Sequence, residues 1–186
     1  MNELTALTVR LEVDGDVGVT RRVVAGAFGG EEVPLLLDAL RCDHAWLGLS
    51  FVAVEKSGDR RVIGHLSYTR GWVDAPDSLV EVLVLSPVSV RPDRQRCGVG
   101  RALVRRSLEQ LADRAEPLVF LEGGIPPTTD GSASWPQGPW ASRVLPVRIP
   151  EQAFQAWRRT TYDGLLTGAL VYPDVFWRHD AVGLRP

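Results

Sequence analysis

Apolar residues that alternate with polar ones indicate the strands of this chain. Near the N-terminus, apolar side chains occupy every second position from Leu7 to Val13, which is the spacing of a strand with one buried face. Similar alternation and short apolar runs predict strands at residues 7–13, 47–55, 61–70, 79–90, 117–122 and 164–172. The polar segment 56–59 predicts a hairpin turn between the second and third of these strands.

Apolar residues spaced three or four positions apart predict the helices. After Gly100 one face of the predicted helix is apolar and the opposite face is charged. The apolar face holds Leu103, Val104, Leu108, Leu111 and Ala112, and the charged face holds Arg101, Arg105, Arg106 and Glu109. Another apolar stripe runs over residues 19–28 and is stopped by Gly29. Residues 31–41 and 150–157 are also predicted to be helical.

The predicted elements follow the order β-α-α-β-β-β-α-β-loop-α-β. No internal repeat and no linker composition interrupts them, so the sequence predicts one domain over residues 1–186. The long segment 123–148 is rich in Gly, Pro and Ser and is predicted to be a loop, which at this length is often functional. Its Trp135 and Trp140 could line a ligand pocket, form a dimer contact or pack locally.

Composition and charge exclude several classes of protein. The 186 residues are 45% hydrophobic and 24% charged, as in globular proteins. The net charge of −2 gives no general attraction to nucleic acid or to anionic membranes. There is no apolar run of about 20 residues and no signal-peptide pattern. Cys42 and Cys97 have neither disulfide nor metal-ligand spacing. Together these observations predict a cytoplasmic protein with no metal, membrane or nucleic-acid partner.

A turn rich in glycine and arginine connects the strand at 79–90 to the next helix. Gly98 and Gly100 carry no side chain, so a ligand can approach the backbone there. The first N–H groups of a helix have no acceptor within it, and the helix end carries about half a positive charge. Arginines add full charges around the same point: Arg91, Arg94, Arg96 and Arg101. The turn therefore predicts a binding site for a diphosphate.

The common phosphate-binding motifs do not describe this turn. A P-loop requires Gly-Lys-Ser/Thr, whereas Lys56 is the only lysine of the chain. The dinucleotide fingerprint requires a third glycine at the position where Leu103 stands.

Pro87 interrupts the strand at 79–90. Proline has no N–H for a sheet ladder, so it predicts a bulge or a broken pairing. If the strand separates from its neighbour there, the N–H and C=O groups of Val88 and Val90 become available to an extended ligand with amides, as in strand addition. The alternative is a bulge that is packed by protein alone.

The motif Q-x-x-G-x-G at 95–100, preceded by VSVRP at 88–92, resembles the acetyl-coenzyme A signature of the GNAT superfamily of N-acetyltransferases. The order of elements matches that family over nearly the whole chain, and the segments PEQAF and GALVYPDVF are similar to the YhbS-like subgroup. The resemblance implies an α/β (α+β) GNAT fold, with a central, mostly antiparallel mixed sheet that is splayed at strand 4 and flanked by helices. It also implies acetyl-coenzyme A as cofactor. The implied cofactor-binding residues are Val88, Ser89, Val90, Gln95, Arg96, Cys97, Gly98, Val99, Gly100 and Arg101.

The resemblance further implies that an acetyl group moves from acetyl-coenzyme A to a primary amine of a small molecule or peptide by direct attack. The Val88 N–H is the candidate donor to the developing oxyanion. Many members use a tyrosine after the fifth strand as general acid, but residues 123–161 contain no tyrosine. This departure keeps open a coenzyme A-binding protein of the same fold without turnover. Such domains often pair, which implies a possible homodimer.

The candidate proton carriers are Glu81, His65, Glu122 and Tyr172. Burial of Glu81 on its apolar strand would raise its pKa and suit it as a base, unless the side chain reaches solvent. His65 titrates near neutrality and could relay a proton or be a hydrogen-bonded structural residue. Glu122 ends the fifth strand and could bind a cationic acceptor or face water. Tyr172 could replace the missing acid or serve in packing.

Overall fold

The computed structural model describes residues 7–56, 61–122, 154–162, 164 and 166–182. The strands are β1 (Leu7–Leu11), β2 (Trp46–Glu55), β3 (Val62–Asp74), β4 (Leu79–Val90), β5 (Leu118–Glu122), β6 (Phe154–Arg158) and β7 (Ala169–Val171). The helices are α1 (Val17–Phe28), α2 (Glu32–Arg41), α3 (Val99–Gln110) and α4 (Asp174–Arg178), with short 3₁₀ turns at Asp14–Asp16 and Pro92–Arg94.

The strands form a seven-stranded mixed sheet in the order β1-β2-β3-β4-β5-β6, with β7 paired to β3. Antiparallel ladders join β1 to β2, β5 to β6 and β3 to β7. The ladder between β4 and β5 is parallel and pairs Leu83 with Val119 and Leu85 with Leu121. β4 then continues for five residues to Val90, beyond the last paired residue. The predicted mixed, mostly antiparallel sheet is therefore confirmed.

The chain divides into two compact units. The first contains Met1–Asp38, Gly48–Ser67 and Pro87–Arg114, and the second contains Ala39–Leu47, Tyr68–Ser86 and Ala115–Pro186.

The first unit is held together by apolar packing of α1 and α3. A buried cluster joins α1 to β2 and β3 through Val23, Val52, Val54 and Val62. Burial of each such side chain contributes roughly 1.5–3 kcal/mol. α3 lies very close to β3, because a Cβ atom at Gly64 would be 2.8 Å from Leu103 Cδ1 and 3.2 Å from Val99 Cγ1. Glycine at position 64 therefore permits this close approach of α3 to β3.

The second unit has its own core around the parallel ladder. Leu83, Leu118 and Phe120 are completely or almost completely buried there. A buried ion pair lies at the start of β5, where Arg159 Nη1 is 3.6 Å from Glu116 Oε2 and donates to the Glu116 C=O at 3.1 Å. These contacts join the residue after β6 to the segment that leads into β5.

Two predicted elements of the C-terminal half are wrong. Residues 150–157 were expected to be helical, but Phe154–Arg158 is strand β6. Its backbone pairs with the edge of β5, and Ala156 is buried opposite Phe120, so sheet pairing outweighs the local helical preference. The strand expected at 164–172 is limited to Ala169–Val171, and the tail after it contains helix α4.

Two smaller differences concern β3 and α3. β3 extends to Asp74, beyond its predicted end at residue 70, because β7 pairs with Trp72–Asp74. Ala112, expected on the apolar face of α3, is exposed in the turn after the helix ends. The expected turn beyond Lys56 and the loop at 123–148 lie outside the described residues.

Asp16, directly before α1, is the clearest source of pH-dependent stability in the first unit. Its carboxylate accepts hydrogen bonds from Arg10 Nη2 at 3.0 Å and from the Val13 N–H at 3.0 Å. The hydrogen bond from Arg10 lowers the pKa of Asp16, against the opposing effect of burial. A lowered folded-state pKa means that this stabilisation is present above the unfolded pKa and is lost as pH falls through the folded value.

We predict that Asp16→Asn lowers the free energy of unfolding by about 1 kcal/mol at pH 7. The difference from wild type should shrink as pH falls below about 4, because protonated Asp16 no longer binds Arg10 as an anion. Urea unfolding between pH 7 and pH 3 measures this difference. The exposed Asp14→Asn is the matched control and should follow the wild-type curve. A constant difference for Asp16→Asn at all pH values would contradict the prediction.

Candidate functional site

The connection from β4 to α3 has the geometry of an open helix N-terminus. Gly98 has φ +84° and directly precedes α3, and Arg96 has φ +61°, which is uncommon for a residue with a side chain. The Ala102 N–H makes the first intrahelical bond, to the Gly98 C=O at 3.0 Å. The N–H groups of Val99, Gly100 and Arg101 therefore lie at the open end of the helix, where its dipole favours an anion.

The end of β4 presents one hydrogen-bonding edge away from β3. The Arg91 N–H donates to the Ile63 C=O at 2.9 Å, and the Ser89 hydroxyl donates to the His65 C=O at 3.3 Å. Alternate residues of an antiparallel strand direct their N–H and C=O groups to the same neighbour. Val88 and Val90, which alternate with Ser89 and Arg91, therefore direct theirs to the opposite edge.

The Val90 carbonyl was expected to be available to a ligand, but it already accepts a hydrogen bond within the protein. The donor is Gln95 Nε2 at 3.0 Å, so the side chain of the motif glutamine occupies this carbonyl. The backbone groups of Val88 and the Val90 N–H are the remaining candidates on this edge. The edge adjoins the helix end, because a Cβ atom at Gly100 would be 3.7 Å from Val90 Cγ2.

Side-chain exposure separates the predicted cofactor-binding residues into two groups. Ser89 and Val99 are buried, so only their backbone groups could meet a ligand. The exposed side chains are those of Gln95, Arg96, Cys97 and Arg101. The Cys97 thiol donates to the Gln95 C=O at 3.3 Å, within the turn.

Arg91 and Arg94 form ion pairs with carboxylates, whereas the sequence suggested that they surround an anion. Arg91 binds Asp93 through two hydrogen bonds of 3.0 and 2.9 Å. Arg94 Nε lies 2.6 Å from Glu55 Oε1, and its Nη1 lies 3.2 Å from Asp93 Oδ2. Hydrogen bonding to Glu55, and then charge attraction, raise the pKa of Arg94. The local excess of positive charge is therefore smaller than the arginine count indicates.

His65 belongs to a buried hydrogen-bonded chain, which supports the structural alternative for this residue. Its side chain is fully buried, and its Nε2 lies 2.9 Å from Ser50 Oγ. The Ser50 hydroxyl donates to Glu12 Oε2 at 2.7 Å, so its oxygen accepts from a protonated His65 Nε2. Glu12 and Ser50 were not identified from the sequence, because nothing in their spacing indicates that they meet.

The other proton-carrier candidates lie in the second unit. Glu81 is not buried as the apolar pattern of its strand suggested: its side chain is 41% exposed and its Oε1 lies 2.9 Å from Arg70 Nε. Tyr172 is buried and packs on Phe176 with ring centroids 5.4 Å apart, which supports a packing role. Glu122 ends β5 and its backbone pairs with Phe154. The side chain of Glu122 and the segment with Trp135 and Trp140 lie outside the described residues.

A cavity of about 660 Å³ lies beside the 3₁₀ turn and contains no predicted cofactor-binding residue. Its lining comes from Asp16, Val19, Arg22, Val23, Arg61, Val62, Arg91, Pro92 and Asp93.

Within the described ranges, no group of His, Cys, Asp or Glu side chains is placed to hold a metal ion. No helix in this part of the chain is long and apolar enough to cross a membrane.

We predict that His65→Ala lowers the free energy of unfolding by about 2–4 kcal/mol, because it opens a cavity and removes a partner of buried Ser50. Chemical denaturation measures this loss. His179→Ala removes an exposed histidine and should change stability by less than about 0.5 kcal/mol. Equal stabilities of the two variants would contradict the structural role.

Comparison with known proteins places this geometry in a family. The model of the acetyltransferase (GNAT) domain matches residues 9–129. The uncharacterized N-acetyltransferase YjhQ of Escherichia coli (strain K12) is 30% identical over 121 residues, which are 62% of this chain and 63% of YjhQ. The match thus spans less than two thirds of that relative's length.

Solved structures share the fold over nearly the whole chain. A GNAT family acetyltransferase from Brucella melitensis, in complex with acetyl-CoA, is 25% identical with a TM-score of 0.66, covering 91% of this chain and 97% of that one. YhbS from Escherichia coli, in complex with CoA, is 23% identical with a TM-score of 0.73, covering 93% of each chain. The YhbS likeness agrees, at the level of the fold, with the predicted subgroup. With a family model that matches from β1 past β5, the chain belongs to the GNAT acetyltransferase family.

Proposed function

We propose that this chain is an N-acetyltransferase that moves an acetyl group from acetyl-coenzyme A to a primary amine of a small molecule or peptide. The observation that carries the proposal is the open N-terminus of α3 beside the outward edge of β4. The N–H groups at residues 98–101 suit the diphosphate of coenzyme A, since helix N-termini bind phosphate groups. The Val88 edge suits the amides of its pantetheine arm, which can pair with a strand.

The structural relatives support the choice of ligand. The Brucella melitensis protein is in complex with acetyl-CoA and the YhbS protein is in complex with CoA. A ligand with a diphosphate at one end and amides along its arm matches the two kinds of backbone group in this chain. We therefore assign acetyl-coenzyme A as the acyl donor.

The proposed reaction is a direct displacement. The amine nitrogen attacks the thioester carbonyl, so a C–N bond forms, the C–S bond breaks, and the proton lost by the amine balances the one gained by the coenzyme A thiol. Holding the thioester in place along β4 lowers the barrier by several kcal/mol, because the reacting groups are then already oriented and do not have to meet by diffusion. The Val88 N–H is proposed to stabilise the oxyanion that forms on the carbonyl oxygen.

The acceptor is proposed to enter near the end of β5. Glu122 directly follows Leu121, which is the partner of Leu85 in the last pair of the parallel ladder. A carboxylate at this point of the fold would attract a cationic amine. A primary amine of a small molecule or of a peptide would meet this requirement.

The test of this function is release of free thiol from acetyl-coenzyme A in a panel of primary amines, with mass spectrometry of the acetylated product. We expect turnover for at least one amine and a mass increase of a single acetyl group. Tight coenzyme A binding without thiol release across a broad panel would contradict the proposal. That result would instead favour a coenzyme A-binding protein of the same fold.

We predict that Gly98→Ala weakens acetyl-coenzyme A binding by about tenfold or more, because its φ of +84° is unfavourable for alanine and the N–H groups after it would shift. Calorimetric titration measures the affinity. Gly29→Ala is the matched control, since Gly29 has φ +75° at the end of α1. Both variants should lose roughly 1–2 kcal/mol of stability, but Gly29→Ala should bind like wild type. Equal binding by all three proteins would overturn the assigned site.

A further inference from the structure

The sequence places the charge of Arg94 beside the predicted diphosphate site, but its contacts indicate another role. We infer that Glu55 and Arg94 are a positioning pair that holds the phosphate turn, defined as residues 95–98, in the conformation that binds the diphosphate. This inference rests on the proposed function, because it concerns the same donor site. Neither residue is proposed to touch the ligand.

The pair joins the end of β2 to the beginning of the phosphate turn. Glu55 is the last residue of β2, and Arg94 is the last residue of the 3₁₀ turn Pro92–Arg94. Their atoms Oε1 and Nε are 2.6 Å apart, and the Glu55 side chain is only 22% exposed. Burial of one partner makes this contact less screened by solvent than the fully exposed pairs of the surface. The end of a sheet strand is also a rigid anchor for a loop.

The remaining hydrogen bonds of Arg94 keep its guanidinium within the 3₁₀ turn. Its Nη1 donates to the Asp93 C=O at 3.3 Å and to Asp93 Oδ2 at 3.2 Å. Asp93 is itself bound to Arg91 by two hydrogen bonds. The charge of Arg94 is therefore shared by two carboxylates, which makes it a poor phosphate ligand and a good anchor.

The phosphate turn needs such an anchor because its backbone is unusual. Arg96 has φ +61°, a region that residues with side chains occupy only when surrounding contacts hold them there. The turn is held at its start by Glu55–Arg94 and by the Gln95 side chain on the Val90 C=O. Without the ion pair the turn could relax, and the N–H groups at the start of α3 would no longer converge on one anion.

The experiment compares Glu55→Ala, Arg94→Ala and the double variant by titration with acetyl-coenzyme A. We expect each single variant to weaken binding roughly threefold to tenfold, which is the size of a typical net hydrogen-bond contribution. The double variant should be no weaker than the more affected single variant, because both changes break the same contact. Glu55→Gln keeps an acceptor for Arg94 Nε, so its affinity should lie between those of wild type and Glu55→Ala.

Direct phosphate binding by Arg94 gives a different pattern and would overturn the inference. In that case Arg94→Ala would weaken binding, whereas Glu55→Ala would leave it unchanged or strengthen it by releasing the arginine. Additive losses in the double variant would also contradict a shared contact.

Two controls separate positioning of the diphosphate from general damage to the fold. S-acetylpantetheine carries the thioester but no diphosphate, so its kcat/KM should be unchanged in all of the Glu55 and Arg94 variants. Arg21→Gln removes ion pairs to Asp38 (2.9 Å) and Glu31 (2.6 Å) elsewhere in the same unit, and it should retain wild-type acetyl-coenzyme A affinity. Equal losses with both donors would mean that the pair is merely structural.

Failure of this inference can be told apart from failure of the proposed function. If wild type binds acetyl-coenzyme A and the Glu55 variants bind it equally well, the positioning pair is wrong and the donor site stands. If wild type does not bind acetyl-coenzyme A, the proposed function is wrong and the positioning pair falls with it.

Discussion

The first N–H groups of a helix have no hydrogen-bond acceptor within the helix. The packing of the first unit determines where these groups of α3 lie. Gly64 lets α3 pack closely on β3, and the valine cluster around Val23 joins α1 to the same strands. The start of α3 is thereby held beside Val90 at the end of β4. The candidate site consists mainly of backbone groups, so it depends on this packing more than on any individual side chain.

In the proposed site the ligand would meet mainly backbone groups, so charged side chains would have a secondary part. A diphosphate that binds N–H groups is recognised by their direction and by the helix dipole. Arg91 and Arg94 are paired with Asp93 and Glu55, and so contribute to the shape of the turn. The proposed division, in which backbone groups bind the ligand and side chains hold the backbone, is typical of loops that approach phosphate closely.

The sequence predicted the elements with strong local patterns. β4 spans Leu79–Val90, as its apolar run indicates, and α3 follows the glycine turn with its apolar face toward β3. The glycine turn before α3 was predicted because glycine spacing is a local property of the chain. By contrast, β6 depends on the edge of β5, which is distant in sequence, and the helical preference of 150–157 was misleading.

The side-chain contacts of the site could not be predicted, because they join residues that are far apart in the chain. Glu55 and Arg94 are separated by 39 positions, and Glu12 and Ser50 by 38. Apolar periodicity places a residue on a face of a strand or helix, but it does not identify the partner of a polar group there. For the same reason Glu81 was considered as a buried base, although Arg70 holds it at the surface.

The most direct measurement is a crystal structure of the protein with acetyl-coenzyme A bound. We expect diphosphate oxygens within about 2.7–3.2 Å of backbone nitrogens in residues 98–101. We also expect hydrogen bonds between the pantetheine arm and Val88. A diphosphate bound at any other surface of the protein, with the start of α3 facing only solvent, would rule out this binding mode.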